Sequence, residues 1–165
     1  VQPLWADQVE NVDFRDTYAR AGSNDVHNET IQHAQAKKPL TLGEIAEIRK
    51  HHLIEDRRLK LSFTDAEDRG MSSSADLQKM TEVWEEIQVI PGILLPPYLT
   101  ISEGFPMLYW RNEEFYASVE LTEDNTLEFY TSVTKSFVSW YEETELNSPV
   151  PENFKKFLYR FRVID

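Results

Sequence analysis

The stretch FYASVELTEDNTLEFYTSV, residues 115–133, decides the fold. Phe115, Ala117, Val119 and Leu121 take one side of an alternating pattern, and Tyr116, Ser118 and Glu120 take the other. Leu127, Phe129 and Thr131 repeat the arrangement after Asp124 and Asn125, a pair with turn chemistry. Side chains of a strand alternate between faces, so period-two patterning of this kind predicts half-buried antiparallel strands with one face on a core.

Working outward from this pair, alternation predicts strands over 98–102, 107–110 and 137–141 besides 115–121 and 127–133. Asn112 and Glu113 supply a further turn. Beyond Asn147, Pro149 and Pro151 lead into Phe154, Phe157, Leu158 and Phe161, a pattern that predicts a short closing helix laid on the sheet.

Upstream the period is helical. Leu77, Met80, Trp84 and Ile87 form one apolar stripe, capped by Ser73 or Ser74 and closed by Pro91 and Gly92. Thr41 and Glu44 make a capping box before Leu42, Ile45, Ile48 and His52 or Leu53, which predicts a helix from about Leu42 to Leu53, with continuation towards Lys60 left open. Leu59, Leu61 and Phe63 alternate, which fits a short strand, and the polar run from Thr64 to Ser74 reads as a mobile loop or seam. Residues 1–39 read as a short helix or extended docking arm, followed by a second helix from Asp25 to Ala36 that Lys37, Lys38 and Pro39 would end. The expected class is therefore α+β. A mainly helical part, 1–92, packs on an antiparallel β meander of about four or five strands with a closing helix, 93–165, in one compact unit.

The segment Leu95-Pro96-Pro97-Tyr98 through Gly104, Trp110 and the following acidic hairpin resembles a small β module of bacterial proteins encoded in toxin and antitoxin-like gene pairs. The shared features are a proline pair, a glycine turn, a strand ending in tryptophan and a hairpin with an acidic turn. Phe105 and Pro106 follow the glycine where that pattern carries another glycine or an aliphatic residue. The resemblance implies a bacterial or phage origin and carries no catalytic residue.

Composition excludes several function classes. With 29 acidic against 17 basic side chains the net charge is -12, which opposes attraction to a phosphate backbone or an anionic membrane and favours a basic partner. No apolar run is long enough to span a bilayer, because Pro91, Gly92, Pro96 and Pro97 break the longest one. The lack of cysteine rules out disulfide and thiolate chemistry and fits a reducing compartment, so the cytoplasm is the expected location. The five glycines are scattered, which excludes a phosphate-cradling loop, and Ser72 to Ser74 lack the flanking glycines of a nucleophile elbow.

Metal and acid–base chemistry fare no better. His51 and His52 are adjacent and diverge by about 100° on a helix. His27 and His33 lack the three- or four-residue spacing of helical ligands, so a site joining them to His52 with Glu29 or Glu55 would need tertiary convergence. Glu113 with Glu114, and the cluster Glu142, Glu143 and Glu145, share one solvated environment, whereas an acid and base pair needs two. Lys155, Lys156, Arg160 and Arg162 balance the acidic sheet or suit the last turn of the closing helix.

What remains is a surface. Tyr116 and Tyr130 stand in the opposite register to Phe115 and Phe129, so with Tyr109, Trp110 and Trp140 they form an aromatic patch rimmed by Glu114, Glu120 and Glu128. Amino-terminal helices could instead cover this face. The expected function is a non-enzymatic acidic interaction protein, of inhibitor, immunity or antitoxin-like kind, that binds a more basic protein without a cofactor. The two alternatives are an inhibitor whose carboxylates imitate nucleic-acid phosphates and a hydrolase or metal enzyme with a His and Glu site. Nothing in the chain fixes its oligomeric state.

Overall fold

A computed structural model describes residues 38–164. The arm and helix expected before Lys38, with His27, Glu29 and His33, lie outside the described residues. Contacts divide the chain into two units, Val1–Ile48 and Arg49–Asp165.

The fold is α+β, as its periodicity predicts. Helix α1 spans Leu42–Asp68 and helix α2 Ser74–Ile87. They precede strands β1 (Ile93–Leu94), β2 (Tyr98–Ser102), β3 (Phe105–Arg111), β4 (Phe115–Leu121), β5 (Thr126–Val133) and β6 (Val138–Glu145). Helix α3 (Glu152–Leu158), a 3-10 turn over Tyr159–Phe161 and strand β7 (Arg162–Ile164) end the described chain. Strands β2 to β6 form a five-stranded antiparallel meander in sequence order, and β1 pairs with β7 in a separate two-stranded sheet. Neither member of that small sheet is evident from sequence, because two or three residues are too few to display a period.

Helix α1 runs much further than its capping box alone predicts. Thr41 Oγ1 accepts from Glu44 N at 3.1 Å, the first half of the capping box. The helix then continues through Leu59, Leu61 and Phe63, which the alternation had suggested as a strand. A strand would put Leu59 and Leu61 on one face, yet Leu59 is 1% exposed and Leu61 62%. Leu59 and Ala66, the two buried residues of α1, are seven apart, which is helical spacing. Pairs Arg58–Glu55, Lys60–Asp56 and Arg69–Asp65 support the same helix locally.

The helix stops at Gly70, whose φ of 63° is the left-handed cap conformation. Gly70 N donates to Glu67 O and Met71 N to Ala66 O, the two bonds of a Schellman motif. The predicted loop from Thr64 to Ser74 therefore shrinks to a short link, and that link is anchored: Ser72 Oγ donates to Gly104 O at 2.7 Å. Ser73 then caps α2, accepting from Asp76 N at 3.1 Å.

Turn chemistry fixes the register of the sheet. Glu103 and Gly104 both have positive φ, 53° and 85°, which is the two-residue type I′ turn whose twist matches paired strands. It sets Tyr98 opposite Tyr109 and Leu99 opposite Leu108. Asn125, at φ 57°, closes the β4–β5 turn, and Asn112 Oδ1 accepts from Glu114 N and Phe115 N in the β3–β4 turn.

Helices α2 and α3 cover one face of this sheet. Trp84 of α2 lies 6.1 Å from Trp110 of β3, and Phe154 of α3 lies 5.9 Å from Trp110 and 5.0 Å from Phe129 in edge-on contact. Leu108, Ala117, Val119, Phe129 and Trp140 complete the buried layer. Each fully buried large side chain contributes about 1.5–3 kcal/mol, so this layer dominates stability. Glu86 of α2 accepts from Val150 N at 3.1 Å and lies 3.7 Å from Lys155 Nζ, tying the closing segment to the helical layer.

Candidate functional site

The face of the sheet opposite α2 and α3 is built in rows, because strand register places side chains of one parity directly across from each other. One row reads Tyr98, Tyr109, Ser118, Tyr130, Tyr141 across all five strands. The next reads Thr100, Met107, Glu120, Glu128, Glu143, and the row on the other side begins Arg111, Tyr116, Ser132, Ser139. Tyrosine and glutamate thus fall into adjacent parallel bands.

The tyrosine rings touch in sequence. Tyr98 and Tyr109 are stacked at 5.6 Å, Tyr109 and Tyr116 at 6.4 Å, and Tyr116 meets Tyr130 at 6.0 Å with a tilt of 57°. Ser118, the small residue in the middle of the row, is buried between these larger neighbours. Arg58 of α1 closes one end of the stack, its guanidinium carbon 4.1 Å from the centre of the Tyr98 ring. The same guanidinium donates to Glu55 Oε2 at 2.7 Å and to Pro97 O at 3.0 Å. One arginine therefore satisfies an aromatic face, a carboxylate and a backbone carbonyl at once.

The glutamate band is electrostatically uncomfortable. Glu120 stands opposite Glu128, and Glu128 opposite Glu143, and like charges placed directly across two strands destabilise a sheet. Partial burial, reinforced by the charge of Glu128, raises the Glu120 carboxyl above its ordinary value. The Tyr141 hydroxyl donates to Glu128 Oε1 at 2.9 Å, with Glu143 Oε2 3.4 Å away. Burial, and next that bond to Glu128, push the Tyr141 phenol well above its usual range, so it stays a neutral donor.

Of the residues expected on the patch, Tyr109, Tyr116, Tyr130, Glu120 and Glu128 share this face. Trp110 and Trp140 do not: each is 2% exposed and sits in the layer under the helices. Their parity is that of Phe129 rather than Tyr130, and Trp110 Nε1 is committed to Leu95 O at 2.9 Å. Glu114 lies in the exposed β3–β4 turn, off the bands, where its carbonyl accepts from Thr134 N at 2.9 Å. Tyr98, Tyr141 and Glu143 were missed. Counting outward from the turns after Ser102 and Val133 would have found them, since register alone puts Tyr98 opposite Tyr109 and Tyr141 opposite Tyr130.

A groove of about 250 Å³ lined by His51, Glu55, Pro96, Tyr98 and Arg111 is the place where a His and Glu reaction would be sought. Glu55 there is paired with Arg58 rather than aimed at a histidine. Among the described residues no group of three or more His, Cys, Asp or Glu could hold a metal ion, and no helix is long and apolar enough to cross a membrane. Compared with family models, curated proteins and solved structures, the chain matches none.

Proposed function

We propose that this chain is a non-enzymatic interaction protein, of inhibitor, immunity or antitoxin-like kind, which binds a more basic protein on the tyrosine and glutamate face. The observation that carries it is the pair of bands: a connected tyrosine platform alongside three carboxylates in direct cross-strand opposition. Such a row costs stability in the free protein, and a cation laid over it would turn the repulsion into attraction. Tyrosine adds large contact area at low entropic cost, and its ring faces accept cations. The arginine recognition that Arg58 already displays at Tyr98 is the chemistry a basic partner would use further along the platform.

Imitation of a nucleic-acid backbone is supported less well. A phosphate track is long and repeats along its strand, whereas this band holds three carboxylates beside a broad aromatic surface.

A photo-crosslinking amino acid at Tyr130, in the full chain expressed in its native host, tests the proposal. The expected product is a single covalent adduct with a protein of basic isoelectric point, absent when Glu128→Lys is added. Adducts with nucleic acid, or adducts that survive the charge reversal, would overturn it.

A further inference from the structure

Strand β6 is the outer strand of the meander, and among the described residues no strand pairs with its far edge. Every second residue of such a strand turns its N–H and C=O outward, which is a template for another extended chain. Along the edge, Ser139, Tyr141, Glu143 and Glu145 point to the tyrosine and glutamate face, and Glu143 and Glu145 are exposed. A second copy of this chain would add its own acidic edge beside Glu143 and Glu145, so charge favours a strand of opposite sign over self-pairing.

The turn that leads into this strand carries a second feature. Phe137, the residue just before β6, is 99% exposed and has φ 55°. Left-handed backbone is usual for glycine or asparagine and unfavourable for a bulky side chain. Asn125 holds the equivalent conformation in the β4–β5 turn, so the sheet has a suitable residue at one turn and an unsuitable, fully exposed aromatic at the other. An exposed aromatic held in a strained turn beside an open edge is the form of an interface anchor.

Resting on the binding role proposed above, we infer that the partner docks by strand addition. An extended segment of the basic protein pairs with the β6 edge, places alternate arginine or lysine side chains over Tyr141, Glu143 and Glu145, and receives Phe137 in an apolar contact at one end. Strand rise of about 3.4 Å per residue puts that contact about 20 Å from Glu143 along the edge. The recognised class is thus a basic β-strand with cations at every second position and an apolar residue beyond them.

A fluorescein-labelled octapeptide of alternating arginine and threonine, with isoleucine at each end, serves as the probe, and its binding to the full chain is followed by anisotropy. Two further peptides carry N-methyl groups on the odd or on the even amides, which keeps charge and side chains but blocks pairing along one edge. Strand addition predicts that the unmodified peptide binds, that at least one methylated form binds about tenfold or more weakly, and that Phe137→Ser weakens the unmodified peptide several-fold. Equal binding of all three peptides would overturn strand addition while leaving recognition on the sheet face intact. If none binds at low salt, both the docking mode and the basic-partner reading fail. Equal affinity of Phe137→Ser and the native chain would remove the anchor from the inference.

Discussion

Thr131 shows how a single side chain can be out of step with its surroundings. It is fully buried opposite Ala117 and Trp140, and its hydroxyl has no hydrogen-bond partner among the described residues. A buried hydroxyl without a partner carries a desolvation cost, so Thr131→Val should raise stability by about 1 kcal/mol, measured as a shift in the urea midpoint at constant slope. Phe137 is out of step in a different way. Glycine would remove left-handed strain of about 1 kcal/mol, so Phe137→Gly should raise the melting temperature. The same change should weaken partner binding, and a gain in stability coupled to a loss of function is the signature of a residue kept for binding. Glu120 links charge to pH. Its carboxyl is raised in the folded state, so between the ordinary value of 4.5 and the raised one the folded chain holds more protons than the unfolded chain. Its contribution is therefore most favourable below 4.5 and is lost as pH rises through the raised value. Glu120→Gln should melt higher than the native chain at pH 7, and the difference should vanish as the pH falls below about 4.5. A constant difference at all pH values would show that Glu120 feels no such strain.

Elements differ in how openly the sequence displays them. Strands β4 and β5 and helix α2 are legible because each buries an apolar face against the core while the opposite face carries polar and tyrosine side chains that are at most half-exposed along the strands, so the period is written in residue type. Helix α1 is not legible past Leu53. Its exposed face carries Leu53, Ile54 and Leu61, which blurs the stripe, and its continuity rests on tertiary contacts at Leu59 and Ala66 and on the Arg58 network. The tyrosine and glutamate face was half legible. Parity separates Tyr116 and Tyr130 from Phe115 and Phe129, but richness in aromatics alone also swept in Trp110 and Trp140, which follow the buried parity. Arg58 is the side chain that couples α1 to the tyrosine stack, with bonds to Glu55 and to the Pro96 and Pro97 carbonyls as well as its place over Tyr98. Hydrogen bonds from a charged donor are worth about 1.5–3 kcal/mol, so Arg58→Ala should destabilise the fold by an amount in that range, read from chemical denaturation. Arg58→Lys should recover only part of the loss, because an ammonium cannot reproduce the planar fork.

At the scale of the whole described molecule, the two faces of one sheet divide the labour. One face takes α2, α3 and their aromatic residues and supplies the stability. The other keeps five tyrosines and three glutamates in register beside an acidic edge. On the binding role proposed above, the net charge of -12 would steer a basic partner at long range, so their encounter should quicken as ionic strength falls. The most direct measurement is a backbone amide chemical-shift map of the full chain titrated with the arginine and threonine octapeptide at low and at high salt. Binding on this face and edge predicts that the shifts cluster on Tyr109, Ser118, Glu120, Glu128, Tyr130 and the residues of β6, and that they collapse when salt is added. Shifts centred on α1 or α2, or no shifts at any salt concentration, would contradict it.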